Sequence, residues 1–420
     1  MRDPNVIRLR NHLVDQVAPE LQKVTLDHQA RQRVQTILEK ALERLSLGSI
    51  PPNIRQMVLD TALAELVGFG PLEILLADGG ISEIMVNGSQ LTFIERAGEI
   101  FETDVKFEND DHVMRIINRI LHPIGRRVDY DTPTADARLP DGSRVNVVIP
   151  PVAVDGPTLT IRKFLQTKMQ MEDLIALGTL TPYMAKFLEA CVVARLNILI
   201  AGNTSSGKST MLNLLSTYIP NHERIVTIED AVELQLHQRH VVRLETKLPN
   251  VEGSGEVTIR DLVRNALRMR PDRLVVGEVR GAETLDMLQA MNTGHSGSLT
   301  TLHANSPRDA TTRMETMALM SGIDIPLSAV RKQIASAINV IVHMTRLPDG
   351  SRKATNITEV IGMEGDIITL MDIFKWEQNN ISPDGKINGN LRPTGVRPMF
   401  NAKLEIAGYK LGGEYFGAGL

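Results

Sequence analysis

Residues 196–215 read LNILIAGNTSSGKSTMLNLL. An apolar run stops at Gly202, small and polar residues follow, and Lys208 opens a segment with helical spacing. Gly202-x-x-x-x-Gly207-Lys208-Ser209 is the pattern of a phosphate-binding loop set between a strand and a helix. Such a loop turns backbone N–H groups inward around phosphate oxygens, and glycines permit the dihedrals and the close approach. The candidate cradle for a nucleotide's phosphates is therefore Gly202, Asn203, Thr204, Ser205, Ser206, Gly207, Lys208, Ser209 and Thr210. Lys208 would reach the β- and γ-phosphates, and the Ser209 hydroxyl would take a place on Mg²⁺. The helix starting near Lys208 aims its positive end at the same anion.

From Met169 onward, apolar strands alternate with helical patterns: LNILIA, RIVTIE, RLVVGEV, SLTTLH and NVIVHMT. That alternation predicts a largely parallel, doubly wound α/β sheet. Hydrolysis of a nucleotide on the loop needs a carboxylate near the γ-phosphate. RLVVGEVRGAE supplies one, because Glu278 follows an apolar strand and emerges at the strand's C-terminal edge, the edge of the phosphate loop. Asp272 sits at the opposite end of that strand and reads as a strand-start or capping residue. IVTIEDAVELQL supplies a second cluster, Glu229, Asp230 and Glu233, which reads either as a helix N-terminus with favourably placed acids or as part of the site. Glu278 and Glu229 both remain open as the group that orients the attacking water, and Ser209, Glu278, Asp230 and Glu233 are the candidate metal ligands. NTGHSGSLTTLHANS adds His295 and His303, of which His303 shares the edge of Glu278 and is placed to sense phosphate or to bridge to a neighbouring subunit.

Upstream, two helices are expected before residue 70. ARQRVQTILEKALERL carries Val34, Ile37, Leu38, Ala41, Leu42 and Leu45 on one stripe, and SIPPNIRQMVLDTALAELVGFGPLE is punctuated by prolines and glycines at its ends. From about Leu72 the period changes to short alternating runs around Asn-Gly and Ala-Gly turns, then a helix in DDHVMRIINRILHPIGR, then strands in DARLPDGSRVNVVIPP and GPTLTIRKF. Three arginines of this α+β region, Arg138, Arg144 and Arg162, suit phosphate through their planar, permanently charged forks. The expected organisation is a helical region at 1–70, an α+β domain at 71–160, a linker around Val154 to Lys168, and a P-loop domain at 161–420 whose tail beyond Met363 is an irregular appendage.

Composition narrows the alternatives. The formal net charge is −4 and aromatics make up 4% of the 420 residues, which speaks against a nucleic-acid motor or a base-stacking surface. Cys191 is the single cysteine, so no intrachain disulfide framework or four-cysteine zinc module is expected, and a reducing compartment suits the chain. No apolar run approaches the ~18–20 residues of a membrane span, and the first residues lack the apolar core of a secretory signal. The expectation is a cytoplasmic protein that does not insert into the membrane.

These motifs together resemble the secretion-superfamily ATPases, the group that drives type II and type IV secretion and type IV pili. Within it the chain is similar to the CpaF (TadA) ATPases of Tad, or Flp, pilus assembly. GNTSSGKST matches the family's Walker A motif, TIEDAVEL its Asp box, LVVGEVRGAE its Walker B and TGHSGSLTTLHANSPRDATTR its His box. GFGPLEILLAD, ARLPDGSRVNVVIPP and GPTLTIRKF are similar to the family's N-terminal domain, and TGVRPMF to its C-terminal end. The resemblance implies a RecA-like P-loop ATPase domain preceded by a smaller α+β (PAS-like) domain and an N-terminal helical bundle. It also implies a homohexamer binding ATP and Mg²⁺ between the N-terminal and RecA-like domains. Arg138, Arg144 and Arg162 would be the phosphate contacts, and inner-membrane pilus platform proteins the partners. The ATPase would lie peripherally at the inner face of the inner membrane. A VirB11-like type IV secretion ATPase and a nucleotide-gated scaffold with negligible turnover are the alternatives.

Overall fold

The structure is a computed structural model that describes residues 4–21, 30–44, 51–96, 98–164, 169–249, 253–383 and 385–417. The chain divides into two compact units, Met1–Gln166 and Thr167–Leu420.

The first unit begins with three helices, Pro4–Leu21, Ala30–Arg44 and Pro52–Val67, which share one apolar core. Leu13, Val17, Val34, Leu38, Leu42, Val58, Leu59 and Ala62 fill it, so the stripe read from the sequence is the buried face. Leu45 and Ala97 of the sequence reading lie outside the described residues. A six-stranded antiparallel sheet follows, in the order β3-β2-β1-β6-β5-β4. Its strands are β1 (Ile81–Asn87), β2 (Leu91–Arg96), β3 (Glu99–Glu102), β4 (Thr134–Arg138), β5 (Arg144–Val148) and β6 (Thr158–Arg162). One face packs on the helix Asp110–Leu121 through Ile84, Val86, Val145, Val147, Leu159 and Ile161. Asn109 caps that helix by accepting the His112 backbone N–H at 2.9 Å. β6 pairs with both β1 and β5, so it belongs inside this sheet. The linker expected from Val154 and the domain end expected at residue 160 are corrected accordingly: a strand hydrogen-bonded on both sides is not a linker.

The second unit is a nine-stranded sheet in the order β15-β14-β13-β12-β7-β11-β10-β8-β9. β7 (Ile198–Gly202), β8 (Ile225–Glu229), β9 (Val241–Glu245), β10 (Arg273–Val276), β11 (Leu299–His303) and β12 (Val340–Arg346) are all parallel. β7, β8 and β10 are buried at every position, as expected of parallel strands covered by helices on both faces. The two cores on either side of the sheet hold helices Pro182–Val193 and Lys208–Thr217 on one face, and Ile259–Ala266, Glu283–Asn292, Pro307–Leu319 and Leu327–Ala337 on the other. β11 separates the phosphate-loop strand β7 from β10, the strand that leads to Glu278. The α/β RecA-like architecture is thus present.

The tail differs from the reading. Beyond Met363 the sequence suggests an irregular appendage, but β13 (Arg352–Glu364), β14 (Ile367–Ile381) and β15 (Ile387–Pro393) extend the same sheet as antiparallel strands. Glu359 of β13 accepts the Met399 backbone N–H at 3.0 Å, which ties the segment after β15 back to the sheet. Among the described residues no helix is long and apolar enough to cross a membrane.

Candidate active site

The loop after β7 has the dihedrals its glycines permit. Gly202 has φ +155° and Gly207 φ +95°, and a Cβ at Gly202 would collide with the Met344 carbonyl oxygen of β12. Ser205 is held at φ +58°, where its carbonyl accepts a hydrogen bond from Arg352 Nε at 2.9 Å. The Ser206 hydroxyl is buried with no hydrogen-bond partner, and Ser209 is exposed on the first turn of the helix. An orphaned hydroxyl, two glycines in positive-φ backbone and a helix N-terminus fit a polyanion.

Lys208 bends back over the loop. Its Nζ donates to the Asn203 carbonyl at 2.9 Å and lies 3.5 Å from His303 Nδ1. Burial lowers its pKa and Arg280 adds to the effect, while Glu278 opposes it. The parallel register sets His303 level with Gly202, which brings the imidazole to the loop. His303 Nε2 lies 3.0 Å from Glu278 Oε1. With Lys208 facing Nδ1, the neutral ring carries its proton on Nε2, the nitrogen that stands against Glu278.

Glu278 also accepts from Arg280, at 2.9 Å from Nε and 2.6 Å from Nη2, and Arg280 Nη1 stands 3.4 Å from Asp230. Lys208, His303, Glu278, Arg280 and Asp230 thus form one chain of contacts at the C-terminal edge of the sheet. Sequence reasoning missed Arg280. The available signal was its position two residues after Glu278, beyond the strand's end, opposite a second acid at the tip of β8.

Glu229 has a different setting. Its Oε2 accepts the backbone N–H groups of Glu233 and Leu234 at 2.8 and 3.0 Å. It clamps the segment after β8, which is not helical, so the reading of those acids as a helix N-terminus is set aside. The backbone of Glu233 is thereby tied to Glu229. Asp272 accepts the Arg224 backbone N–H at 2.8 Å at the far edge, the capping place expected for it. His295 precedes β11, with its Nδ1 3.3 Å from the Ala290 carbonyl, and therefore lies at the opposite sheet edge from Lys208. His295, a candidate from the same motif, thus stands apart from Lys208 and His303 within this unit. The two histidines share a sequence motif but stand at opposite ends of a strand.

In the first unit, strand pairing lines up the three arginines. Arg138 pairs with Arg144, Arg144 with Arg162, and Arg162 with Glu83. Directly paired residues share a face, so all three project from the face opposite the helix-covered core. Arg162 Nε is 2.7 Å from Glu83 Oε1.

Residues 65–379 match the family model described as "Type II/IV secretion system protein". The chain belongs to that family. It is a nucleotide-using ATPase of this group. A putative conjugal transfer protein of Mycobacterium tuberculosis, Rv3659c, is 38% identical over 309 residues, 72% of this chain and 87% of that protein. The type IV secretion system protein VirB11 of Brucella abortus is 31% identical over 301 residues, 65% of this chain and 83% of that one. Among solved structures, the pilus retraction motor PilT with bound ADP aligns over 67% of this chain and 80% of its own, with a TM-score of 0.50 and 24% identity, a likeness of fold.

Proposed function

We propose that this secretion ATPase is the hexameric motor of Tad (Flp) type IV pilus assembly, acting at the inner face of the inner membrane on platform proteins that insert or extract pilin. The observation that carries the ATP-driven part is the contact chain from Lys208 through His303 to Glu278 at the phosphate-loop edge. The pilus assignment is supported by the motif resemblance. It is also supported by the three-helix bundle ahead of the α+β sheet, an extension that favours the Tad branch over the more compact type IV secretion ATPases.

In this reading residues 202–210 wrap the phosphates through backbone amides, and Lys208 leaves the Asn203 carbonyl to meet them. Glu278 takes the proton of the attacking water, and His303, neutral because it is buried among cations, fixes the carboxylate's orientation. Arg280 holds the second carboxylate oxygen, and Glu229 acts by clamping the chain after β8 rather than by touching water. The oxygen donors proposed for the ion are few, Ser209 and Glu278 with Asp230 joined to Glu278 through Arg280 and Glu233 further along, and a small donor set suits an ion that keeps several waters. Bound Mg²⁺ would neutralise charge on the phosphates. Arg138 and Arg144, with Arg162, are the phosphate contacts proposed from the first unit.

The test is Glu278→Gln placed in the source organism's own gene and in the purified protein. Turnover should fall by about 10²–10⁴-fold, nucleotide should still bind, and surface pili should disappear. Pili persisting at normal density without turnover would instead describe a nucleotide-gated scaffold. A second reading, a VirB11-like type IV secretion ATPase, is favoured by the conjugal transfer and VirB11 relatives. Loss of DNA or effector transfer with pili intact would select it.

A further inference from the structure

The heptapeptide Arg-Leu-Pro-Asp-Gly-Ser-Arg occurs twice, at residues 138–144 and 346–352. Both copies form the same hairpin, one joining β4 to β5 and the other β12 to β13. Leu139 N–H donates to the Ser143 carbonyl at 2.9 Å, and Leu347 N–H to the Ser351 carbonyl at 2.8 Å. Asp141 and Asp349 each accept the backbone N–H of the serine two residues on, at 2.9 Å, and that serine's hydroxyl as well. Gly142 and Gly350 take φ of +92° and +83°. Turn chemistry accounts for Pro, Asp, Gly and Ser. It does not account for the arginines that flank them.

In both hairpins the two arginines are directly paired across the strands, Arg138 with Arg144 and Arg346 with Arg352. Like charges placed directly opposite cost stability in an antiparallel pair, and an anion between them offsets that cost. The second copy stands beside the phosphate loop. β12 is the parallel neighbour of β7, with Met344 level with Gly202, so Arg346 lies two residues beyond the point where the loop begins. Arg352 reaches the loop itself, donating to the Ser205 carbonyl, and its Cδ lies 3.5 Å from where a Cβ on Gly207 would stand. Both side chains are exposed.

We propose that Arg346 and Arg352 form a second arginine pair that takes phosphate oxygens of the nucleotide on the loop, supplied by the same unit that carries Lys208. The proposal rests on nucleotide binding at residues 202–210. The arginine fork suits it, because two guanidinium groups on neighbouring strands present parallel N–H donors toward one polyphosphate.

The full-length chain is titrated with a fluorescent N-methylanthraniloyl ATP, and inorganic tripolyphosphate is used as the competitor to isolate phosphate contacts. Melting temperature is recorded for each variant. Arg346→Ala, which leaves the Ser205 bond in place, should weaken both ligands severalfold, and the double variant Arg346→Ala/Arg352→Ala by about tenfold or more. Arg352→Lys, which keeps the charge, should bind tighter than Arg352→Gln. Lys208→Ala serves as the reference. If Lys208→Ala abolishes binding while the double variant matches the wild type, the pair is overturned and the loop assignment stands. If Lys208→Ala itself binds normally, the loop assignment fails. Should Arg352→Ala lower the melting temperature, Arg346→Ala and the lysine–glutamine comparison decide. Wild-type affinity in Arg346→Ala together with equal affinity in the two others overturns the proposal.

Discussion

In the proposed mechanism His303 is the group expected to set the response to pH. Burial lowers its pKa below the ordinary 6.5, Glu278 opposes the shift, and Lys208, Arg280 and Arg313 reinforce it. A histidine shifted in this direction stays neutral in the folded protein while the unfolded chain takes up a proton. Its contribution to stability is therefore complete above 6.5 and is lost as pH falls from there through the lowered folded value. The same sign governs activity, because a protonated ring would lose its place between Lys208 and Glu278. The acid limb of kcat should fall below 6.5, measured by steady-state ATP hydrolysis at constant ionic strength. A limb centred above that value would remove His303 from the mechanism. The shared edge of Glu278 and His303 was legible in the sequence because one follows and the other ends an apolar parallel strand, and Lys208 was legible from the glycine pattern that opens its helix. Arg280 was not, because an arginine after a strand is ordinarily a solvated side chain and only the fold brings Asp230 opposite it.

The far edge of the same sheet shows how the strand starts are held in register. Arg273, fully buried at the head of β10, donates to Glu223 at 2.6 and 3.0 Å, and to the carbonyls of Val192 and Gly297 at 2.9 and 3.1 Å. Asn197, just before β7, accepts the N–H groups of Gly297 and Ser298 at 2.7 and 3.0 Å. One guanidinium and one amide thus tie the segments leading into β7, β8, β10 and β11. Glu223→Ala should cost about 3–5 kcal/mol, because it leaves Arg273 as an uncompensated buried charge. Urea denaturation of the full chain followed by tryptophan fluorescence at Trp376 reads the second unit directly. A loss below about 1 kcal/mol would mean the cation finds another partner or water. Such pins are invisible to periodicity, as the tail strands were. Thr358 of β13 bonds Asp372 of β14, and Trp376 to Ile381 of β14 pair with β15 largely in the open, so no alternating buried face marks them. Asn, Gly and Pro in that stretch read as irregular chain, whereas backbone pairing makes them strands.

At the scale of the molecule, the proposed hexamer raises the question of which subunit would supply the proposed arginines. The first unit aligns Arg138, Arg144 and Arg162 on one sheet face, and the second carries Lys208 and Glu278 on its own sheet edge. A ring built from head-to-tail contacts lets a residue of one subunit serve its neighbour's site. Lys208→Ala removes the loop's cation, and Arg144→Ala removes a proposed phosphate contact, so each variant alone should hydrolyse ATP poorly. Mixed in equal amounts and reassembled, the two behave differently according to where the arginine acts. If it acts within its own chain, every subunit holds one defective half and mixing restores nothing. If it acts across the boundary, an intact site needs a loop from one variant beside an arginine from the other. Random assembly then produces intact sites at about one quarter of positions. Steady-state turnover of the mixture, with hexamer mass followed by light scattering on the same samples, should therefore recover to about a quarter of the wild-type rate per subunit. Recovery should also require subunit exchange, so rings assembled separately and combined without exchange should stay inactive. A mixture no more active than its components would place the arginine in the same chain as the loop it serves.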